Sequence, residues 1–267
     1  MRDFTIAVIQ NRTIHDKEKN IINALDLVKK AAGKGASLVM LPEIFLYPYE
    51  LSKLAIVVDS DGSTLKRLSQ TAKENRIFLC TGSFPVQENN KIYNRAFLLG
   101  PDGSVLLTHD KCHLFDVRLP NLVSEESKVF TAGSQARTIK TDLGSIGMLV
   151  CYDIRFPEIS RKLALANAEI ILVPAAFNTV TGPAHWHTIL RARAIENQVF
   201  LAAASPARNN KAGYLAYGHS LVVNPWGRIL TEAGTGQTIL YAKLDADVLS
   251  TTRARLPLLK HRRPEIY

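Results

Sequence analysis

The sequence predicts an α/β fold with mixed sheets, two of them stacked face to face with helices outside. Three observations point there. Short β-branched runs alternate with segments of helical periodicity, as in layered α/β proteins. Strong turn signals join some strands directly into hairpins, so the sheets cannot be purely parallel. Neither a linker nor a repeat of fixed period divides the chain, and its 267 residues, 46% hydrophobic, suffice for one sizeable core. Residues 1–267 therefore read as a single domain.

Phe4–Gln10 reads as the first strand. Asp16–Ala32 carries Ile21, Ile22, Leu25 and Val28 at helical spacing, and Gly33 and Gly35 end it. Ser37–Leu41 is a short apolar strand running into Pro42-Glu43, Ser63–Asn75 a second amphipathic helix, and Ile77–Thr81 another strand. Asn94–Leu99 and Ser104–Thr108 flank Gly100-Pro101-Asp102-Gly103 and read as a hairpin. Asp110–Gly133 lacks periodicity and reads as a long loop, which in a compact domain is usually functional or disordered. A second hairpin spans Ala136–Val150, turning at Asp142-Leu143-Gly144. Beyond Cys151 come a helix at Asp153–Ala168, a strand at Glu169–Val173 and a helix from Pro183 to Gln198. Strands at Val199–Ala204, Leu215–Val223 and Thr238–Leu244 follow, with a sharp turn at Asn224-Pro225-Trp226-Gly227.

A net charge of +9 raises the question of nucleic acid. The basic residues, however, are dispersed and partly compensated. Only the C-terminal RARLPLLKHRRPEIY is locally basic, and prolines and apolar residues interrupt it. The tail, 245–267, is expected to be solvated or to lie at an oligomer interface, and no nucleic-acid partner is expected. No run of about eighteen apolar residues is present, so no membrane partner is expected. MRDFTIAVIQ lacks the apolar stretch of a signal peptide, and three cysteines (Cys80, Cys112, Cys151) cannot all pair. A reducing, cytoplasmic setting is the expectation.

Three polar residues stand where apolar strands end: Glu43 after SLVMLP, Lys111 past SVLLTH, and Cys151 after IGMLV. Ligand sites in α/β proteins gather at the carboxyl ends of strands. A thiol at a strand-to-helix turn sits by a helix N-terminus, which favours thiolate, and a nearby lysine would favour it further. The N–H of Tyr152 is placed to hold a developing oxyanion. A buried structural cysteine is the plainer reading, but it does not explain the polar run CYDIRFPE. Alone, Glu43 reads as a helix-entry carboxylate and Lys111 as a surface lysine. Together with a thiol they form a nucleophile, a cation and a proton shuttle, the shuttle requiring a carboxyl pKa raised by burial or by a neighbouring negative charge.

LPEIF around Glu43, HDKCHLFD around Lys111 and CYDIRFPE around Cys151 resemble, in order, the three signature blocks of the nitrilase, or carbon–nitrogen hydrolase, superfamily. That resemblance implies Glu43, Lys111 and Cys151 as catalytic residues acting through a thioester acyl-enzyme. It implies a four-layer αββα sandwich and a homodimer or higher homo-oligomer joined with exchange of C-terminal tails. It also implies a second active-site glutamate in ESKVFTAG, which is Glu126, with Glu125 as the alternative. Cys151-Tyr152-Asp153 resembles the amidase-type branches. The segments AAFNTVTGPAHWH, NQVFLAAASPARNNKAGYLAYGHS and VVNPWG are similar to the omega-amidase branch, whose members hydrolyse the terminal amide of short dicarboxylate monoamides. The chain departs from that branch after Lys111, at Leu46–Glu50, and at His187, where glutamate is usual.

The alternatives are an amidase acting on deaminated glutathione or an N-carbamoyl compound, or a non-catalytic binding protein on the same scaffold. Arg155 is a candidate for a substrate carboxylate, with a structural pairing to Asp153, Glu158 or a neighbouring helix as the competing reading. Phe177, Thr181 and Tyr49 are candidate substrate-pocket residues, against plain packing. His185 and His187 lie two apart, do not share a helix face, and lack further ligand spacing, so no metal is expected; nor is a cofactor.

Overall fold

A computed structural model describes residues 1–119 and 122–266. Two six-stranded mixed sheets form its centre. The first is built from β1 (Phe4–Gln10), β2 (Leu38–Met40), β3 (Phe78–Glu88), β4 (Lys91–Leu99), β5 (Val105–Asp110) and β14 (Thr238–Leu244), in the order β14-β1-β2-β3-β4-β5. The second contains β8 (Thr138–Thr141), β9 (Gly144–Met148), β10 (Ile170–Pro174), β11 (Phe200–Ala204), β12 (Leu221–Val223) and β13 (Ile229–Glu232), in the order β13-β12-β11-β10-β9-β8. Read from β14 and from β8, both sheets pair antiparallel, parallel, parallel, antiparallel, antiparallel. The topology is thus duplicated although the sequence shows no repeat.

Burial explains the layering. The parallel strands β2 and β10 are buried along their whole length and read as continuous apolar runs, as strands covered on both faces must. Ile6, Val8, Leu38 and Met40 of the first sheet meet Met148, Ile170, Leu172 and Val222 of the second in one apolar layer. The outer faces are covered by helices. α1 (Lys17–Gly33) and α3 (Ser63–Asn75) lay Ile21, Ala24, Val28 and Leu68 on Ala7, Val39 and Leu79. α4 (Pro157–Leu165) and α5 (Gly182–Asn197) lay Leu163, Trp186, Leu190 and Ala194 on Ile171, Val173 and Leu201. The result is an αββα sandwich.

Local chemistry sets the boundaries. Asp16 caps α1 by accepting a hydrogen bond from Lys19 N at 3.0 Å. α3 ends on Arg76 in the left-handed region, φ 51°, a conformation usually left to glycine. Three expectations need correction. The helix expected from Asp153 begins at Pro157, because residues 151–155 form a 3-10 turn and proline favours the first helical position. The loop expected over 110–133 contains the antiparallel pair β6 (Asp116–Leu119) and β7 (Leu122–Glu125); residues 120–121 lie outside the described residues. Leu215–Val223 is a strand only from Leu221, the earlier part being drawn off to Phe177 through a Tyr217 N–H hydrogen bond of 2.6 Å. The tail begins with a helix, α6 (Ala246–Arg255). It is fastened by Leu249 in the core and by Arg253, which donates to the Gln198 and Ala168 carbonyls at 3.0 and 2.7 Å.

Candidate active site

Four chain segments deliver the polar groups to one place. β2 runs out through Pro42-Glu43, where Glu43 bridges Ser83 in parallel fashion and Ile44 N donates to Ser83 O at 2.7 Å. Gly82, at φ 69°, makes this approach possible, since a Cβ there would lie 2.1 Å from the Pro42 carbonyl oxygen. β5 ends directly before Lys111, whose N–H donates to Asn94 O of β4 at 3.0 Å. Glu126 opens a 3-10 turn after β7. Cys151 follows β9 from the other sheet. Ile44 and Cys151 both have positive φ, 50° and 45°. Non-glycine residues rarely adopt this region, at a cost of about 1–3 kcal/mol each, and such strain concentrates where side chains must be aimed.

The four side chains converge out of water: Glu43 and Glu126 are 0% exposed, Lys111 1% and Cys151 9%. Lys111 Nζ donates to Glu43 Oε1 at 2.9 Å and to Glu126 Oε1 at 2.8 Å. Asn94 Nδ2 donates to Glu43 Oε1 at 2.8 Å. Glu126 also accepts from Phe115 N at 2.5 Å and from the Tyr49 hydroxyl. Glu43 Oε2 is buried and receives no donor, while the Cys151 thiol is close enough to the carboxyl to affect its titration. Cys151 Sγ in turn accepts from Ala176 N at 3.5 Å. Glu125, by contrast, points outward to Lys128 and Arg118.

One ammonium thus lies between two carboxylates. Burial raises the Glu43 pKa, Lys111 opposes this, and the Glu126 charge adds to it; the net direction is upward. Burial works against the Lys111 ammonium, but Glu126 and Glu43 together hold its pKa well above the ordinary value. Burial and then Glu43 push the Cys151 thiol well above its ordinary range, against the pull of Lys111. The expectation of a resting thiolate is therefore corrected. The helix terminus invoked for it starts six residues later, at Pro157, and the negative charge of Glu43 outweighs the lysine. The arrangement instead pairs a protonated thiol with a buried carboxylate able to take its proton.

Behind Cys151, buried Asp153 gathers five donors. Oδ1 accepts from Cys112 N (3.1 Å), His113 N (2.9 Å) and His113 Nδ1 (2.8 Å). Oδ2 accepts from His109 Nε2 (2.9 Å) and Val150 N (3.0 Å). Although burial opposes ionisation, these hydrogen bonds hold its carboxyl well below the usual range. One side chain therefore ties the lysine segment to the cysteine turn.

A narrow cavity opens over the thiol. Lys111, Cys151 and Tyr152 border it, as do Tyr49, Phe177, Thr181 and Arg155. Tyr49 packs on Tyr214 with ring centroids 5.1 Å apart. Arg155 lies over the Phe177 ring at 4.4 Å and contacts His185 Nδ1 at 2.9 Å. It pairs with neither Asp153 nor Glu158, and no carboxylate within ion-pair distance compensates it among the described residues.

Sequence reasoning missed three residues here. Asn94 carried a faint signal, a polar residue in the inward phase of a strand. Asn178, which accepts from Thr181 N at 2.8 Å and shapes the pocket wall, and Tyr214, which donates to Ala176 O, carried none. Two groups of metal-type ligands also converge, His109–Cys112–Asp153 and His187–His219–Glu232. In the first, Asp153 is already saturated with donors.

The carbon–nitrogen hydrolase family profile matches residues 5–254. The chain is 42% identical to the omega-amidase NIT2 of Mus musculus over 269 residues, spanning 100% of this chain and 98% of that protein. Its fold superposes on Saccharomyces cerevisiae Nit3, a member of branch 10 of the nitrilase superfamily, with TM-score 0.90, 37% identity and coverage of 98% and 97%. It also matches an amidase from Nesterenkonia sp. AN1, with TM-score 0.80, 30% identity and coverage of 95% and 98%. In that structure acrylamide has added to the active-site cysteine. The chain belongs to the carbon–nitrogen hydrolase family, within the nitrilase superfamily.

Proposed function

We propose that this protein is an omega-amidase-like hydrolase that converts a short dicarboxylate monoamide into the dicarboxylate and ammonia. Cys151 is the nucleophile, Glu43 the proton shuttle and Lys111 the cation. The observation that carries this reading is the buried contact set in which one ammonium holds two carboxylates and the thiol neighbours the one with the raised pKa.

Cys151 Sγ attacks the amide carbonyl carbon while its proton passes to Glu43. The carbonyl electrons move onto oxygen, and Lys111 Nζ and the Tyr152 N–H hold that oxyanion. Collapse expels the nitrogen, which takes the proton from Glu43 and leaves as ammonia, so a thioester remains. Glu43 then removes a proton from water as it attacks the thioester. The second tetrahedral adduct releases the carboxylic acid, and the sulfur regains its proton. Glu126 keeps Lys111 charged and in place, through contacts that leave Glu43 free to cycle between its two forms.

Specificity follows from the far wall. The uncompensated Arg155 guanidinium suits the remote carboxylate of the substrate, and Phe177 fixes its plane while Thr181 and Tyr49 bound the chain between. The small cavity favours short monoamides; deaminated glutathione would extend out of it. We further propose a cytoplasmic homodimer. The exposed stretch beyond α6, with Leu256 and Ile266 40% and 64% exposed, supports a contact with a second copy. Among the described residues no helix is long and apolar enough to cross a membrane.

The test is intact-mass trapping of the acyl-enzyme with 2-oxoglutaramate, succinamate, deaminated glutathione, N-carbamoyl-β-alanine and butyramide, alongside ammonia release. A thioester adduct on Cys151 with turnover highest for the first two is expected. Adducts on another residue, or preference for butyramide, would overturn the assignment.

A further inference from the structure

Three side chains from three elements, none of them lining the cavity over the thiol, meet at the surface. His187 stands on α5, His219 precedes β12, and Glu232 ends β13. Glu232 Oε1 lies 2.7 Å from His187 Nε2 and 3.0 Å from His219 Nδ1, and the three potential ligand atoms all fall within 4.8 Å of one another. From this geometry we infer that His187, His219 and Glu232 form a binding site for a divalent transition-metal ion such as Zn²⁺, outside the catalytic centre.

The chemistry of the donors fits. Two imidazole nitrogens and one carboxylate oxygen are the ligand set of many zinc sites that keep a fourth position open. A tetrahedral ion holds its ligands about 3.3 Å apart, given bonds of about 2.0–2.2 Å. The carboxylate contacts, at 2.7 and 3.0 Å, are shorter than that and would open on binding. The ring nitrogens, at most 4.8 Å apart, would close, and side chains that are 31%, 25% and 32% exposed have room for both movements. The fourth position faces solvent, where water or an exchangeable ligand completes the sphere.

One ligand is already fixed. The His219 ring stacks on Tyr217 with centroids 4.3 Å apart, while the backbone N–H of His219 donates to Gly234 O at 3.0 Å and its backbone carbonyl accepts from Trp186 Nε1 at 2.7 Å. Outer contacts of this kind orient a ligand before the ion arrives. His185 takes no part: it turns to Arg155 and the catalytic pocket, so the histidines two apart serve different sites. A bound ion would fasten α5 to the β12–β13 edge of the second sheet.

The full-length protein, freed of metal with a chelator, would be titrated with Zn²⁺ by calorimetry and with Co²⁺ by absorption spectroscopy. We expect one equivalent per chain, a visible cobalt band without the near-ultraviolet thiolate band, and a higher melting temperature with Zn²⁺. His187→Ala and Glu232→Gln should weaken binding by more than roughly a hundredfold, the upper range for loss of an outer-sphere partner. Both variants should keep parental circular dichroism and amide turnover, and His185→Ala should bind as the parent does. Absence of binding would overturn the proposal. So would equal affinity in His187→Ala, or a thiolate band accompanying the single equivalent, which would place the ion at Cys151 or Cys112.

Discussion

Replacing Asp153 by asparagine tests whether the active site is held together from behind. The carboxylate satisfies five donors, three on Oδ1 and two on Oδ2. An amide keeps only one acceptor oxygen. Its better orientation preserves the three contacts on Oδ1 and turns the NH₂ towards Val150 N and His109 Nε2. His109 can answer by moving its proton to Nδ1, which has no partner. The Val150 N–H cannot, and is left buried against another donor. One orphaned buried N–H costs about 1–3 kcal/mol, and losing the charge assistance of the remaining bonds brings the total to roughly 3 kcal/mol. Because Val150 directly precedes the nucleophile, its displacement also moves Cys151, and a misplacement of about 1 Å can cost on the order of a hundredfold in rate. Urea unfolding at pH 7 measures the first effect and ammonia release the second. The sign of the pH dependence is also fixed. A carboxyl whose folded pKa is depressed stabilises above its unfolded value and loses that contribution as pH falls towards the folded one. The stability gap between parent and variant should thus be constant above about pH 5 and shrink below about pH 4. A gap under about 1 kcal/mol with unchanged kcat/KM, or one that widens on acidification, would refute the reasoning.

Glu43→Gln removes the proton shuttle and keeps the shape; kcat should fall at least about a hundredfold with circular dichroism unchanged, as ammonia-release kinetics and spectra will show. Arg155→Ala should lower kcat/KM for 2-oxoglutaramate roughly ten- to hundredfold, the worth of a charge-assisted hydrogen bond, and leave butyramide turnover nearly unaltered. Asn94→Ala deletes a donor that favours the charged form of Glu43, so the acid limb of kcat/KM should move to higher pH in a full pH–rate profile. Gly82→Ala forces a Cβ against the Pro42 carbonyl at positive φ; a stability loss of about 1–3 kcal/mol by denaturant unfolding, with a disproportionate loss of turnover, is expected.

The strands and helices that face the core were legible because burial writes itself into periodicity. β1 and β14 begin and end where alternation and apolar content place them, and α3 covers Ser63–Asn75 as its amphipathic pattern requires. What lay on the surface was not legible. β6 and β7 form an antiparallel pair with little burial on either face, and α6 buries only Leu249 and Thr252, so neither leaves a strong pattern. The convergence of Glu43, Lys111 and Cys151 was legible from local context, as three polar groups each closing an apolar strand. Asn94 and Tyr214 were not, because each gains its place from partners dozens of residues away, Glu43 and Ala176. The error over the thiol had the same origin. Local sequence displays a helix and a lysine, whereas the thiol is governed by burial and then by a carboxylate arriving from the opposite sheet.

That last point bears on how the protein fails. Glu43, Asn94 and Lys111 hang from one sheet and Cys151 from its partner, while the apolar layer between the sheets and the hydrogen bonds gathered by Asp153 set their spacing. A slip of one slab over the other by a fraction of a hydrogen-bond length would silence turnover and leave every ladder paired. Warmed or pressurised, the protein should therefore lose catalysis before it loses ellipticity, making ammonia release a gauge of how faithfully the halves stay aligned.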